Sequence, residues 1–104
     1  MYFLMICRHR EGVAELRDRL RPEHRAYVAS GGQARARVLT GSALWADAGE
    51  QGIGNFGILE AESREAALAF AEGDPFHIGG VVESIELIRL ADTFQAQRIE
   101  PLSP

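Results

Sequence analysis

The segment YFLMIC, residues 2–7, contains only apolar side chains, and it constrains the fold more than any other feature of the chain. A short run that is apolar at every position predicts a buried strand, here at about residues 2–8. Successive side chains of a strand point to opposite faces of the sheet. One face of this strand carries Tyr2, Leu4 and Ile6, and the other carries Phe3, Met5 and Cys7. Both faces therefore need apolar cover.

A helical pattern follows this strand. Five apolar side chains recur at steps of three, four and seven residues, and Gly31 and Gly32 end the pattern. They are Val13, Leu16, Leu20, Tyr27 and Val28. Because proline disrupts the interior of a helix, we expect Pro22 to divide this segment into two pieces of different direction.

Two further strands are predicted in the middle of the chain, at residues 36–44 and 56–62. The segment between them, WADAGEQGIGN at residues 45–55, is rich in glycine and turn-forming residues. Such a segment between two strands predicts a long hairpin loop.

The second helix is predicted to begin at Ser63, a residue type that caps helix N-termini, and to end with Gly73 in the C-terminal capping position. Its buried stripe would consist of Ala67, Phe70 and Ala71. A last strand is predicted at residues 82–90, and a polar tail with two prolines follows from Asp92.

The predicted order is β-α-β-β-α-β, which indicates an α+β, ferredoxin-like domain over residues 1–91 with an antiparallel sheet and both helices on one face. Two helices cover only one face of a sheet, so the doubly apolar first strand requires a second covering layer. A second copy of the chain is the simplest such layer, and we therefore expect a homodimer. The tail, residues 92–104, is a candidate for packing on the dimer partner.

Charge and composition exclude several classes of function. Residues 1–37 contain 8 arginines and 4 acidic residues, whereas residues 38–104 contain 3 arginines and 11 acidic residues. This charge forms no long basic stripe with interleaved aromatics, so nucleic acid is not an expected partner. The chain has no lysine, which excludes lysine Schiff-base chemistry and a P-loop. Its single cysteine, and the lack of a recognisable membrane span or signal peptide, favour a cytoplasmic protein with no membrane partner.

His24 and Asp74 are the residues most relevant to chemistry. His24 follows Leu20 by four positions on the apolar stripe and therefore points inward. By itself it is more often a core histidine bonded to a backbone carbonyl, and an Asp-Pro pair such as Asp74-Pro75 is more often a simple turn. In this fold, however, both helices lie on one sheet face, so the two side chains can meet. A carboxylate bonded to one imidazole nitrogen fixes the tautomer and makes the other nitrogen a better base.

Other candidates are weaker. Arg8 and His9 follow the first predicted strand and could bind an anionic ligand at a pocket mouth, although a solvated basic loop is the commoner outcome. His77 is predicted on a surface turn, and Cys7 as a buried, inert thiol. No histidine or cysteine pair has the spacing of a metal site, so we expect no metal. The glycine-rich segment GEQGIGN lacks the strand-to-helix context of a phosphate-binding loop, so we expect no nucleotide, and no other cofactor is expected.

Four segments resemble the YCII-related (YciI-like) family. They are RPEHRAYV, LTGSAL, FGILEAESREAALAFAEGDPF and GGVVESIELIRL, and the resemblance extends from Tyr2 to about Leu90. It implies a dimeric α+β barrel with a His-Asp dyad, here His24 and Asp74. Where a reaction is assigned in the family, it includes removal of chloride from a chlorinated hydroquinone. Ser42 stands where the family commonly has proline, so the shape of the pocket near this turn is expected to depart from that of the family, and Ser42 is a candidate substrate-binding residue.

Two functions follow as hypotheses. The first is a cofactor-independent enzyme of lyase, isomerase or dehydrochlorinase type that acts on a small aromatic or enolisable molecule. In it, His24 would be the general base and Asp74 would orient it. The second is a non-catalytic ligand-binding or regulatory homodimer that keeps the His-Asp contact as a structural hydrogen bond.

Overall fold

A computed structural model describes residues 1–103, and it contains four strands and four α-helices in one domain. The elements are β1 (Tyr2–His9), α1 (Ala14–Ala29), α2 (Gly31–Ala34), β2 (Arg37–Trp45), β3 (Gly52–Glu60), α3 (Arg64–Gly73), α4 (Pro75–Ile78) and β4 (Val82–Arg89). A single 3₁₀ turn, Ala96–Arg98, follows in the tail. No helix within residues 1–103 combines the length and the apolar character needed to cross a membrane.

The four strands form one antiparallel sheet in the order β2-β3-β1-β4. This order and the alternation of elements confirm the predicted α+β, ferredoxin-like fold. The core lies between the sheet and the helices, and its largest fully buried side chains are Phe3, Leu39, Leu59, Phe70 and Val81. The predicted stripe of α3 (Ala67, Phe70 and Ala71) is buried, and the Ser63 hydroxyl accepts a hydrogen bond from the Ala66 N–H at 3.1 Å.

The two faces of β1 differ in their cover. Phe3, Met5, Cys7 and His9 are buried beneath the helices. The opposite face presents Leu4 and Ile6, whose neighbours across the sheet are Ile58, Ile88 and Phe56. These side chains are partly exposed, and Ile88 is 43% exposed. The homodimer that would cover this face stays a prediction.

Two predicted helix boundaries are wrong. The helix α1 is one continuous helix that includes Pro22, so the predicted division does not occur. Pro22 is exposed, and packing of the apolar stripe against the core stabilises the helix on both sides of it. The helix α3 also includes Gly73, and Asp74 takes the capping position that we expected for Gly73.

The third strand is longer than predicted at its start and shorter at its end, so the hairpin loop consists only of residues 46–51. Gly52–Asn55 belong to β3 and pair with β2. Gly52 and Gly54 therefore lie in a strand and not in a turn. A side chain on Gly54 would clash with the backbone carbonyl oxygen of Cys7 on the neighbouring strand. Glycine serves here for close approach of two strands.

The tail contacts its own sheet at two points. Phe94 packs against Tyr2, with ring centroids 5.5 Å apart. Ser103 is buried, and its hydroxyl accepts from the Val38 N–H at 2.6 Å on the edge strand β2. The tail therefore crosses one end of its own sheet, and packing of residues 92–104 on a partner stays a prediction.

Candidate active site

The side chains of His24 and Asp74 meet in the space between α1 and α4. Nδ1 of His24 lies 2.8 Å from both Oδ1 and Oδ2 of Asp74. Asp74 is 5% exposed, and the side chain of His24 is 17% exposed. The carboxylate has no proton to donate, so Nδ1 of His24 carries the hydrogen and donates it to Asp74. In the neutral imidazole this leaves the lone pair on Nε2.

The position of Asp74 follows from the sequence Asp-Pro-Phe. Pro75 occupies the first position of α4, where a missing N–H costs nothing. Oδ1 of Asp74 accepts a hydrogen bond from the Phe76 N–H at 2.8 Å, so the carboxylate caps α4. The same oxygen accepts from His24. The acid in front of the proline therefore fixes a short helix and a histidine ring together.

Phe76 holds the other side of the His24 ring. The two rings are stacked with centroids 4.0 Å apart and planes inclined by 4°. Among the described residues, Nε2 of His24 has no hydrogen-bond partner, and no buried side-chain nitrogen or oxygen lacks one. Nε2 is therefore accessible, and His24 lines a large cleft. The ring is fixed on two sides and presents its basic nitrogen to the cleft.

The cleft lies over β2 and β3, where the helices leave the sheet uncovered. The space has a volume of about 1540 Å³, and its lining includes residues on both faces of the sheet. Its floor on the helix side of the sheet includes Gly41, Ala43, Asn55 and Gly57, which pair with one another across the two strands. A side chain on Gly41 would come within 2.6 Å of the Phe56 carbonyl oxygen, so this position stays small. Small floor residues leave room for a ligand beside His24.

A second histidine lies beside this pair. Nε2 of His9 is 2.7 Å from Oδ1 of Asn55, and the Nε–H of Arg17 donates to Nδ1 of His9 at 3.1 Å. Since Nδ1 accepts a hydrogen bond, the proton of His9 is on Nε2. Burial lowers the pKa of His9 below its ordinary value; the Asn55 hydrogen bond opposes this effect and the charge of Arg17 adds to it. His9 is thus held as a neutral imidazole.

A pH dependence of stability follows from this lowered pKa. In the unfolded chain His9 takes up a proton as the pH falls through its ordinary value of 6.5, whereas in the folded protein it does so only at lower pH. The stability that a neutral His9 contributes is therefore complete above pH 6.5 and is lost as the pH falls toward the folded pKa. We expect urea unfolding to show a larger loss of stability between about pH 8 and about pH 5.5 in the unaltered protein than in His9→Gln. Equal losses in the two proteins would contradict this account.

Of the other predicted site residues, His9 lies beside the pair, whereas Arg8 and Ser42 point to the opposite face of the sheet. Arg8 and His9 belong to β1 and do not follow it, so they point to opposite faces. The Arg8 guanidinium lies 3.2 Å from Glu86 on the face away from His24. Ser42 also points to that face, and its hydroxyl donates to the Ala43 carbonyl oxygen at 2.9 Å. Arg8 and Ser42 are nevertheless among the residues that line the cleft, and their role in binding a substrate stays a prediction.

Two further predictions concern chemically reactive side chains. Cys7 is buried, and burial raises the pKa of its thiol to about 12, with the charge of Asp74 acting in the same direction. A thiol with this pKa is not a nucleophile near neutral pH. His77 is on the surface, where Nδ1 lies 2.9 Å from the Glu72 carbonyl oxygen. Within residues 1–103, no three histidine, cysteine or acidic side chains come together as metal ligands.

Three residues of the site were not predicted from the sequence: Phe76, Asn55 and Arg17. Phe76 is apolar and Asn55 is uncharged, so neither stands out in the sequence. Their positions depend on contacts between distant elements. Arg17 had a local signal, since it precedes His24 by seven positions and therefore lies on the same face of α1.

Comparison with known proteins identifies one family and several similar solved structures. Residues 1–91 match the YCII-related domain. The fold is similar to that of 5-chloro-2-hydroxyhydroquinone dehydrochlorinase (TftG) from Burkholderia phenoliruptrix in complex with 2,5-dihydroxybenzoquinone. The TM-score is 0.77, the identity is 25%, and the match covers 88% of this chain and 94% of that one. A protein from Arabidopsis thaliana matches with a TM-score of 0.48 and 15% identity over 88% and 94% of the two chains. No curated protein sequence matches this chain.

Proposed function

Because this chain belongs to the YCII-related domain family, we propose that it is a small cofactor-independent enzyme of lyase, isomerase or dehydrochlorinase type. Its substrate is a small aromatic or enolisable molecule bound in the cleft beside His24. The observation that carries this proposal is the geometry of one ring. Nδ1 of His24 is bonded to Asp74 at 2.8 Å, while Nε2 is accessible to the cleft.

His24 acts as the general base in this proposal. Nε2 accepts a proton from a phenol or from a carbon next to a carbonyl group, and the imidazolium that forms is stabilised by the Asp74 carboxylate. Phe76, stacked on the ring, keeps Nε2 directed at the cleft. General base catalysis of this kind contributes typically about 10²–10⁴-fold, which is sufficient only for a substrate that is already acidic.

Loss of chloride from a chlorinated hydroxyhydroquinone needs no other reagent. The base removes a phenolic proton, and the ring carbon that carries chlorine is protonated to give a keto tautomer. Chloride then leaves with the bonding electron pair, and a second phenolic proton is lost, so the ring becomes a hydroxyquinone. The two electrons leave with chloride, so the reaction requires no external oxidant. The structural similarity to a dehydrochlorinase supports this chemistry for the present chain.

The test of the proposed function is a substrate panel. Chlorinated hydroquinones are assayed by chloride release, and enol lactones and small aromatic acids are assayed by their absorbance. Turnover of at least one member that requires protein is the expected result. If no member is turned over but several bind, the non-catalytic ligand-binding or regulatory homodimer replaces the enzyme as the function.

We also propose a homodimer that uses the face of Leu4 and Ile6. Sedimentation at micromolar concentration is expected to give twice the mass of the chain, because this partly exposed apolar face needs cover. Ile6→Asp is expected to lower the mass to that of one chain, since a carboxylate in an apolar interface is not solvated. Leu68→Asp, which makes the same kind of change at an exposed position of α3 on the helix side of the sheet, is the matched control. A monomer in the unaltered protein would contradict the dimer.

A cytoplasmic location belongs to the same proposal. It rests on the single cysteine, Cys7, which is free and buried. A chain with one cysteine forms no internal disulfide, and disulfides are what oxidising compartments favour.

A further inference from the structure

Arg17 is a cation in the wall of the cleft without a negatively charged partner. Its Nε–H donates to His9 at 3.1 Å, and its Nη2 donates to the Gly52 carbonyl oxygen at 3.3 Å. Both partners are neutral, and no carboxylate among residues 1–103 lies within ion-pair distance of its guanidinium. The side chain is partly buried. A partly desolvated positive charge with only neutral partners favours an anion in the adjoining space.

Five acids line the cleft, and two of them, Asp18 and Asp74, are bonded to a neighbour. Asp18 pairs with Arg21, and Asp74 pairs with His24. Arg25 also lines the cleft, so the face of α1 that adjoins Arg17 and His24 carries more positive than negative charge. Over the whole lining of the cleft five arginines are matched by five acids, so the positive potential is local to Arg17 and Arg25 on α1 and is not a property of the cleft.

The guanidinium of Arg17 is held in place by its neighbours. His9 fixes Nε, and His9 is itself fixed by Asn55. Gly52 leaves space for the guanidinium, because a side chain there would come within 2.9 Å of Nη1. The cation is thus presented to the cleft in one orientation, as a group that binds an oxyanion must be.

Arg17 and His24 can contact one small ligand. They are seven residues apart on the same face of α1, which is about 10 Å along the helix. Contacts connect them: Arg17 touches His9, and the ring of His9 lies against Phe76 at a centroid distance of 5.6 Å. Phe76 in turn stacks on His24. A single substituted aromatic ring is long enough, together with the two side chains, to bridge this separation.

We infer that Arg17 binds an anionic oxygen of the substrate, so that the substrate class is a hydroxylated aromatic or enolisable acid that carries a carboxylate. This inference deepens the proposed function and assumes the same cleft. His9 and Gly52 act as positioning residues for the guanidinium, and they do not touch the reacting atoms.

The test uses two probes that differ by one carboxylate, 2,5-dihydroxybenzoate and hydroquinone. Calorimetric titration of the unaltered protein is expected to show binding of 2,5-dihydroxybenzoate about tenfold or more tighter, since a charge-assisted hydrogen bond contributes that much. Arg17→Gln is expected to remove this preference and to leave the affinity for hydroquinone unchanged. Arg19→Gln, which removes the same charge from an exposed position on α1, is expected to retain it.

Gly52→Ala provides a second variant that keeps the charge. Its methyl group displaces the guanidinium, so the preference for the carboxylate is expected to fall while thermal unfolding confirms that the protein is folded. In the unaltered protein, 2,5-dihydroxybenzoate is expected to shift the NMR signal of the Arg17 Nε–H and hydroquinone is not. Equal binding of the two probes, a preference that survives Arg17→Gln, or no binding of either probe at millimolar concentration would overturn the inference.

Failure of this inference is distinguishable from failure of the proposed function. His24→Gln is expected to retain the preference for the carboxylate, because it leaves Arg17 in place. A carboxylate preference in a protein without turnover supports the inference and contradicts the enzyme. Turnover that depends on His24, together with equal binding of the probes, contradicts the inference and supports the enzyme.

Discussion

Replacement of His24 by glutamine is expected to lower turnover by about 100-fold or more, to the limit of detection for a slow reaction. Glutamine keeps a polar side chain that can donate to Asp74, but its amide does not accept a proton near neutral pH. The hydrogen bond to the buried carboxylate is retained, so the free energy of unfolding is expected to change by no more than about 1 kcal/mol. Turnover of the substrate panel and urea unfolding of the same preparation measure the two effects.

The matched control for this variant is His77→Gln, because His77 is a surface histidine on α4 that bonds only to a backbone carbonyl oxygen. It is expected to leave turnover unchanged. Equal turnover in His24→Gln and the unaltered protein would show that the base lies elsewhere. A loss of stability of about 1–3 kcal/mol in His24→Gln, with turnover retained, would instead identify His24 as a core histidine.

Replacement of Asp74 separates its two contacts. Asp74→Asn keeps an oxygen that accepts from the Phe76 N–H, but it removes the charge that stabilises the imidazolium of His24. Turnover is expected to fall about tenfold or more, and less than in His24→Gln, because the base is still present. Asp74→Ala also removes the cap of α4, so it is expected to lower the free energy of unfolding by a further amount of about 1 kcal/mol.

Comparison of the two Asp74 variants checks this division of roles. Turnover is measured at saturating substrate, and unfolding is measured in urea. If Asp74→Asn and Asp74→Ala lose the same stability, the cap contributes nothing measurable. If Asp74→Asn has the turnover of the unaltered protein, the carboxylate is a structural cap only and does not assist the base.

The sequence was sufficient for the fold because each element carries its own local signal. The continuous apolar run of β1 and the stripe of α3 depend on neighbours within a few residues, and both agree with the structure. The contact between His24 and Asp74 was also predictable in outline. Once both helices lie on one sheet face, an inward histidine on one and an acid at the end of the other are brought together.

The features that could not be predicted depend on contacts between residues that are distant in the sequence. Gly52 and Gly54 lie in a glycine-rich segment that is typical of a turn, yet they belong to β3. The close approach of Arg17 to Gly52 and of Cys7 to Gly54 explains why these positions are glycine. A proline such as Pro22 is typical of a helix end, yet packing on the core keeps α1 continuous. Phe76 stacks on a ring 52 positions before it in the chain, and no local pattern indicates such a contact.

The central claim is that Nε2 of His24 removes and returns a proton on a ligand in the cleft, and hydrogen-isotope exchange tests it most directly. The probe is 2-hydroxyhydroquinone, which has no chlorine to lose but can be protonated at a ring carbon through its keto tautomer. Proton NMR in D₂O follows the loss of its ring hydrogens with protein present. We expect exchange that the unaltered protein accelerates by about 100-fold or more over His24→Gln. Exchange at the same rate in the two proteins would contradict the claim.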